Sequence, residues 1–226
     1  METYLRDRHS VMITRLDQIE ELPIIVVFYR SGSSGEFLSY AIGKTFDGMT
    51  QTRQFWENNN RCKYFDVFDR NLNSGFSTID PLEVVTGVNR YLEKNNPVDS
   101  THVATAHDNP ATCEFLHRYL PDVPVIEMVV NNPLSKKFMV LAAQSKITHQ
   151  KIHVVERPLS LKADSGQKFK NHLQIEWEDF VITRPELVFQ EIAEFIGHTG
   201  NVEAFCSCVE DYRNRNLELI ARANES

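Results

Sequence analysis

The sequence predicts an α/β fold, a three-layer arrangement in which helices cover both faces of a mainly parallel central sheet. Apolar runs of strand length alternate with amphipathic helical patterns, and this alternation is typical of parallel strands joined by helical crossovers. The longest apolar runs, such as VPVIEMVV, are far shorter than the roughly 20 residues of a membrane-spanning helix. With 226 residues, 42% of them hydrophobic, the chain is long enough to bury one core. We therefore expect a single domain over residues 1–226.

The first third of the chain is predicted to contain an arm, a strand, a helix and an insertion. Residues 1–22 form the arm, because apolar residues recur with imperfect helical spacing between Ser10 and Glu21. The run IIVVFY from Ile24 predicts the first strand, and EFLSYAI predicts the helix after it. Residues 48–77 are polar with scattered aromatic side chains, and we interpret them as a variable insertion without a clear secondary structure.

The remaining elements follow from turn residues and periodicity. Asp80 and Pro81 are suited to begin a helix that ends near Lys94. The later segments are predicted, in order, as strand THVATAH, helix 111–119, strand VPVIEMVV, helix 134–145, strands KIHVV and LQIEW, and a closing helix 185–196. Ligands of such sheets bind beyond the carboxyl ends of the strands. Arg30 and His107 both fall at predicted ends of this kind.

The turn after the first strand has the composition of a phosphate-binding loop. It consists of Arg30, Ser31, Gly32, Ser33, Ser34 and Gly35. Glycines allow a tight turn, backbone N–H groups and the following helix N-terminus attract an anion, and Arg30 adds a formal charge. The loop is not a Walker A motif, because its glycines are too close and Glu36 stands where a lysine is needed. The alternative interpretation is a flexible surface turn, since SGSSG also occurs in linkers.

Charge and cysteine content restrict the partners. The net charge of −7 disfavours a broad nucleic-acid surface. The N-terminal residues METYLRDRHS lack the apolar stretch of an export signal, so we expect a cytoplasmic protein without a membrane partner. Four cysteines are few for this length, and Cys206 and Cys208 are too close for a C-x-x-C knuckle. We expect free thiols and no metal.

Four segments, taken in order, carry a family resemblance. They are RSGSSGEFL after the first strand, TAHDNP after a later strand, LHRYLPDVPVIEMVVNNP, and IEWEDFVITRPELVFQEIAEFIG near the end. This combination resembles the sulfotransferases, which use 3′-phosphoadenosine-5′-phosphosulfate (PAPS) as donor. The resemblance implies a P-loop-like nucleotide-binding architecture and sulfuryl transfer to a hydroxyl or amine of a small-molecule or glycan acceptor. Aromatic residues between Phe55 and Phe68 would help to select that acceptor.

The resemblance also implies roles for individual residues. Arg30 and the loop from Ser31 to Gly35 would hold the 5′-phosphosulfate end of the donor. Arginine keeps its proton, so Arg30 would stabilise the leaving phosphate electrostatically. His107 would be the general base, and its alternative role is to cap or hydrogen-bond the loop that starts at Asp108. Asp108 would orient His107 or act as the base itself.

The chain departs from the family pattern where the donor's 3′-phosphate would bind. Asn131 stands where the family has an arginine, and we keep it as a candidate donor-binding residue. Met139 stands where the family has a serine. Lys136, Lys137 or Arg157 would have to compensate. Three hypotheses follow: an active sulfotransferase, a relative that binds another phosphorylated ligand, and a non-enzymatic interaction protein that uses the aromatic segment or the C-terminal tail as its contact surface.

Overall fold

The described residues contain a four-stranded parallel sheet. The computed structural model describes residues 14–19, 21–29, 34–50, 68, 72, 79–95, 100–131 and 169–224. The strands are β1 (Ile24–Tyr29), β2 (His102–His107), β3 (Val125–Val129) and β4 (His172–Glu176). Their order is β2-β1-β3-β4, and every neighbouring pair is parallel. The predicted α/β class with a parallel sheet is therefore confirmed.

Five α-helices surround this sheet in the described part of the chain. They are α1 (Gly35–Thr45), α2 (Pro81–Asn95), α3 (Pro110–Tyr119), α4 (Pro185–Ile196) and α5 (Val202–Asn224). A π-helical turn, Asp179–Thr183, connects the end of β4 to α4. None of the described helices combines the length and the apolar character needed to cross a membrane.

The sheet separates two hydrophobic cores. Side chains of β1 alternate between them: Ile25, Val27 and Tyr29 face the first core, whereas Val26 and Phe28 face the second. Helices α1, α4 and α5 cover the first core, and α2 and α3 cover the second. All six residues of β1 are buried. A strand that is covered on both faces has a continuous apolar sequence, and the run IIVVFY has this character. The described residues thus form three layers.

Side-chain oxygens cap the starts of two helices, and the cap at Asp80 was predicted from the sequence. The Asp80 side chain accepts a hydrogen bond from the Leu82 N–H at 2.9 Å, which caps α2. Asn109 caps α3, accepting from the Thr112 N–H at 2.9 Å, and Pro110 is the first residue of that helix. A side-chain oxygen at this position satisfies an N–H that has no partner within the helix.

The predicted N-terminal helix is wrong in the part that the structure describes. Thr14 and Arg15 precede a single 3₁₀ turn, Leu16–Ile19. Their N–H groups donate to the Gln18 side chain at 2.7 and 3.0 Å, so that they are satisfied within the turn itself. Ile19 is nevertheless buried in the second core. The apolar spacing identified a residue of the core, but the short, imperfect pattern did not require an α-helix.

The C-terminal segment forms a long helix that the sequence interpretation missed. Asn201 caps α5 by accepting from the Ala204 N–H at 2.8 Å. Phe205, Val209 and Tyr212 are buried in the first core. Their spacing of i, i+4 and i+7 is a helical signal, but the sequence interpretation placed no element after the helix predicted at 185–196. The C-terminal tail is therefore in large part a core element.

Parts of the predicted insertion also belong to the fold. Phe68 and Leu72 are fully buried in the second core, which is incompatible with the predicted role of Phe68 in selecting an acceptor. Met49 forms a parallel bridge with Thr101 next to β2. Several predicted features lie outside the described residues: Phe55, Trp56, Tyr64, Phe65, helix 134–145 and strand KIHVV.

Candidate functional site

The connections of β1 and β2 create a crevice at the carboxyl edge of the sheet. Strand β1 is followed by α1 on the first face, whereas β2 is followed by α3 on the second face. Adjacent parallel strands whose connections leave toward opposite faces open a crevice between their carboxyl ends, and ligands of α/β sheets bind there. Tyr29 and His107 are the last residues of the two strands and are paired in the register.

A hydrogen bond joins the two residues at this crevice. His107 Nε2 lies 3.1 Å from the Tyr29 hydroxyl, and the rings meet edge to face with centroids 4.9 Å apart. The other imidazole nitrogen, Nδ1, has no hydrogen-bond partner among the described residues. His107 is half-buried, whereas Tyr29 is only 2% exposed. The tautomer of the neutral ring therefore decides whether Nδ1 carries a proton or a lone pair.

Burial determines the charge state of this histidine. Desolvation lowers the pKa of His107 below its ordinary value, because removing an imidazolium ion from water disfavours the charged form. The side chain is consequently neutral at pH 7. A neutral imidazole is the form that can accept a proton, as a general base must.

The Asp108 backbone and the Asn109 side chain form hydrogen bonds beside His107. The Asp108 N–H donates to the Tyr29 carbonyl at 2.7 Å, and no described hydrogen bond links its carboxylate to the imidazole. Tyr29 makes the contact with the imidazole, and a role for Asp108 in orienting His107 or as the base itself stays a prediction. Asn109 caps α3 and donates to the His107 carbonyl at 3.3 Å, so His107 contacts the following loop through its backbone, and the side chain that caps the helix is that of Asn109.

The start of α1 packs directly against Tyr29. A Cβ atom added to Gly35 would overlap with Cβ, Cγ and Cδ1 of the Tyr29 side chain. Glycine at this position lets the helix N-terminus approach the end of β1 as closely as it does. Gly35 was predicted to bind a phosphate donor, and the structure shows a packing reason for its presence.

The hydroxyl of Ser34 is engaged by two aromatic side chains. The Trp177 indole N–H donates to Ser34 Oγ at 3.2 Å, and the Tyr212 hydroxyl lies 2.5 Å from the same atom. Ser34 has a φ of 63°, a left-handed conformation that is uncommon for residues other than glycine. Its side chain thus connects the turn before α1 to the residue that follows β4 and to α5. A phosphosulfate group bound at this turn would contact backbone N–H groups, because the Ser34 hydroxyl is already hydrogen-bonded.

Farther along the same carboxyl edge, beyond the ends of β3 and β4, Asn131 is paired with an acid. Its side-chain amide donates to Glu176 Oε1 at 2.6 Å, linking the segment after β3 to the last residue of β4. The resemblance placed a 3′-phosphate here. A carboxylate in this location repels an anion, so this pair disfavours the predicted phosphate contact of Asn131.

The structure describes only some of the site residues that the sequence predicted at this edge. Arg30, Ser31, Gly32 and Ser33, together with Met139, Lys136, Lys137 and Arg157, lie outside the described residues. Arg30 directly follows the last residue of β1. Sequence reasoning missed Tyr29, Trp177, Tyr212 and Glu176, which contact the predicted site residues. Three of them are aromatic and were indistinguishable from core residues in the sequence.

No metal site is apparent in the described ranges, where no group of three or more histidine, cysteine or acidic side chains has a suitable arrangement. Cys113, Cys206 and Cys208 are free thiols, as expected. Burial raises the pKa of Cys206 and of Cys208, which keeps both thiols protonated at neutral pH.

No protein-family model, curated protein or solved structure matches this chain.

Proposed function

We propose that the chain is a sulfotransferase-like enzyme with a P-loop-like architecture, which transfers a sulfuryl group from PAPS to a hydroxyl or amine of a small-molecule or glycan acceptor. The loop from Arg30 to Gly35 and the N-terminus of α1 hold the phosphosulfate, and His107 is the general base. In the reaction, the bond from sulfur to the bridging oxygen breaks and a bond from sulfur to the acceptor forms. The acceptor proton passes to His107, and adenosine 3′,5′-bisphosphate leaves.

One observation carries this proposal: Gly35, the last residue of the predicted anion loop, and His107, the predicted base, both contact Tyr29. The N-terminus of α1 packs on its ring through Gly35, and His107 bonds to its hydroxyl at 3.1 Å. Gly35 and His107 are far apart in the sequence, and the parallel pairing of β1 with β2 brings them to one crevice. Sulfuryl transfer, like phosphoryl transfer, depends mainly on positioning and charge stabilisation, which this arrangement suits.

Titration calorimetry with adenosine 3′,5′-bisphosphate tests the donor site. We expect micromolar binding that Arg30→Ala abolishes. Arg118→Ala is the matched control, because Arg118 lies in the last turn of α3 and contacts Tyr119, at the end of the helix remote from the crevice. Absence of binding up to millimolar ligand, or equal loss in both variants, would contradict the donor site.

Sulfate transfer from radiolabelled PAPS across a panel of hydroxyl and amine acceptors tests the role of the base. His107→Ala should lower turnover by about 100-fold or more, since positioned general bases contribute roughly that factor, while donor binding persists. An unchanged rate in this variant would remove His107 from the mechanism.

A second candidate is a relative that binds a phosphorylated ligand without a 3′-phosphate and transfers no sulfate. The contact between Asn131 and Glu176 favours it, because a carboxylate is present where a 3′-phosphate would need a cation. This protein would bind adenosine 5′-monophosphate at least as tightly as the 3′,5′-bisphosphate. Glu176→Gln should then improve binding of the bisphosphate selectively, because it removes the charge and keeps an oxygen that can accept from Asn131. Equal affinities before and after this change would count against a role for Glu176 in selection.

A further inference from the structure

Tyr29 contacts both sides of the crevice, namely the start of α1 and the end of β2. Its ring packs against Gly35 at the start of α1, and its carbonyl accepts from the Asp108 N–H at 2.7 Å. Its hydroxyl lies 3.1 Å from His107 Nε2. The side chain is 2% exposed, so packing fixes the position of the hydroxyl before any ligand binds.

The direction of this hydrogen bond decides which imidazole nitrogen can act as a base. A tyrosine hydroxyl can donate or accept, and a neutral imidazole has one donor and one acceptor nitrogen. If the hydroxyl donates to Nε2, the proton of the neutral ring is on Nδ1 and the ring has no free lone pair. If the hydroxyl accepts from Nε2–H, Nδ1 carries a lone pair, and Nδ1 is the nitrogen without a described partner.

We propose that Tyr29 is a positioning residue for His107, accepting a hydrogen bond from Nε2–H and thereby presenting Nδ1 as the proton acceptor in the crevice. Its part in sulfuryl transfer depends on the function proposed above. The same bond persists after Nδ1 takes a proton, because Nε2–H is a donor in both charge states. The bond strengthens in the charged state, since hydrogen bonds to ionised groups are stronger than neutral ones. Tyr29 therefore offsets part of the cost that burial imposes on the protonated imidazole.

The test is NMR titration of the full-length protein with ¹⁵N-labelled histidine, with assignment by His107→Gln. In the unmodified protein we expect the Nε2–H tautomer of His107 at neutral pH. Tyr29→Phe keeps the ring and removes only the hydroxyl. We expect it to shift the tautomer population toward Nδ1–H and the titration midpoint to lower pH, because the charged form loses its acceptor. The adjacent titratable groups, the Tyr29 hydroxyl and Asp108, must be included in the fit.

The molecule provides a matched control on the same strand. Tyr91 and His102 form a second pair, with 2.9 Å between the hydroxyl and Nδ1 and rings edge to face at 5.1 Å. His102 begins β2, whereas His107 ends it. Tyr91→Phe should therefore change the signals of His102 and leave those of His107 in place.

The outcomes separate this proposal from the proposed function, because the titration requires neither donor nor turnover. A Nδ1–H tautomer in the unmodified protein, or a midpoint that rises in Tyr29→Phe, would mean that Tyr29 donates, and either result would overturn the proposal. If the expected titration is observed in a protein that transfers no sulfate, the positioning role of Tyr29 is supported and the proposed sulfotransferase function is contradicted. In an active protein, Tyr29→Phe should lower turnover about tenfold, the effect of roughly 1.4 kcal/mol, and move the acid limb of the pH–rate profile together with the NMR midpoint.

Discussion

His102 is a histidine that the fold keeps neutral. It is fully buried at the start of β2, and its Nδ1 pairs with the Tyr91 hydroxyl at 2.9 Å. Its Nε2 has no hydrogen-bond partner among the described residues. Desolvation lowers the pKa of His102 to about 4, because a buried imidazolium ion would lose its hydration.

This burial predicts a loss of stability in mild acid. The pKa in the unfolded chain is about 6.5, so the unfolded state binds a proton first as the pH falls. The free energy of unfolding should decrease between about pH 6.5 and pH 4, by about 3 kcal/mol from this group, and its contribution should level off below pH 4. Urea unfolding at pH 7.5 and pH 4.5 measures the difference.

Two variants separate His102 from the other titrating groups. His102→Gln should reduce the change between the two pH values. His198→Gln is the control, since His198 is a partly exposed residue that contacts the Asp47 carbonyl at 3.1 Å. Identical pH profiles for His102→Gln and the unmodified protein would show that other groups cause the acid sensitivity.

At the scale of elements, the beginning of α1 depends on a close approach between helix and strand. Gly35→Ala would place a methyl group in steric overlap with Cγ of Tyr29. We therefore expect α1 or Tyr29 to move. Overpacking of this kind costs about 1 to 3 kcal/mol. Because Tyr29 contacts His107, the NMR signals of His107 should shift in the same variant.

Gly197→Ala is a matched control for this prediction. Gly197 ends α4 with a φ of +69°, and an added Cβ would meet no atom within 4 Å. Its substitution costs about 1 to 2 kcal/mol through backbone strain alone. The two variants should therefore lose similar stability in denaturant titrations, but only Gly35→Ala should perturb His107. Unperturbed His107 signals in Gly35→Ala would show that Tyr29 adapts without moving its hydroxyl.

Helix α5 shows how an element connects the core to the site. Tyr212 stacks on Phe37 of α1 with ring centroids 4.0 Å apart, and its hydroxyl reaches Ser34. The periodic apolar residues of α5 carry a helical signal that the sequence interpretation missed. Its contact with the turn before α1 was not predictable, because it joins residues 178 positions apart.

For the whole molecule, β1 makes the two cores interdependent. Its side chains alternate between the faces, so loss of packing on either face loosens the same strand. We expect one cooperative unfolding transition. Leu116→Ala in α3 and Ile192→Ala in α4 remove fully buried side chains from opposite cores, and each should cost about 2 to 5 kcal/mol.

Circular dichroism and tryptophan fluorescence should report coincident transitions in both variants, which is the signature of two-state unfolding. Leu82→Ala and Leu217→Ala are the controls, because these side chains are 74% and 48% exposed. Two separate transitions in either core variant would show that the faces unfold independently.

The sequence by itself determined the fold class, the strands β1 to β4, most helix positions and the location of His107 at a carboxyl end. These features follow from local periodicity, from apolar strand-sized runs and from the capping residue Asp80. Only the tertiary structure decided that Tyr29 contacts the imidazole and that Glu176 faces Asn131. The hydrogen bonds of the Ser34 hydroxyl with Trp177 and Tyr212 are likewise visible only in the tertiary structure. Such contacts depend on strand order and on the faces to which the helices return, and neither property is encoded in the spacing of neighbouring residues.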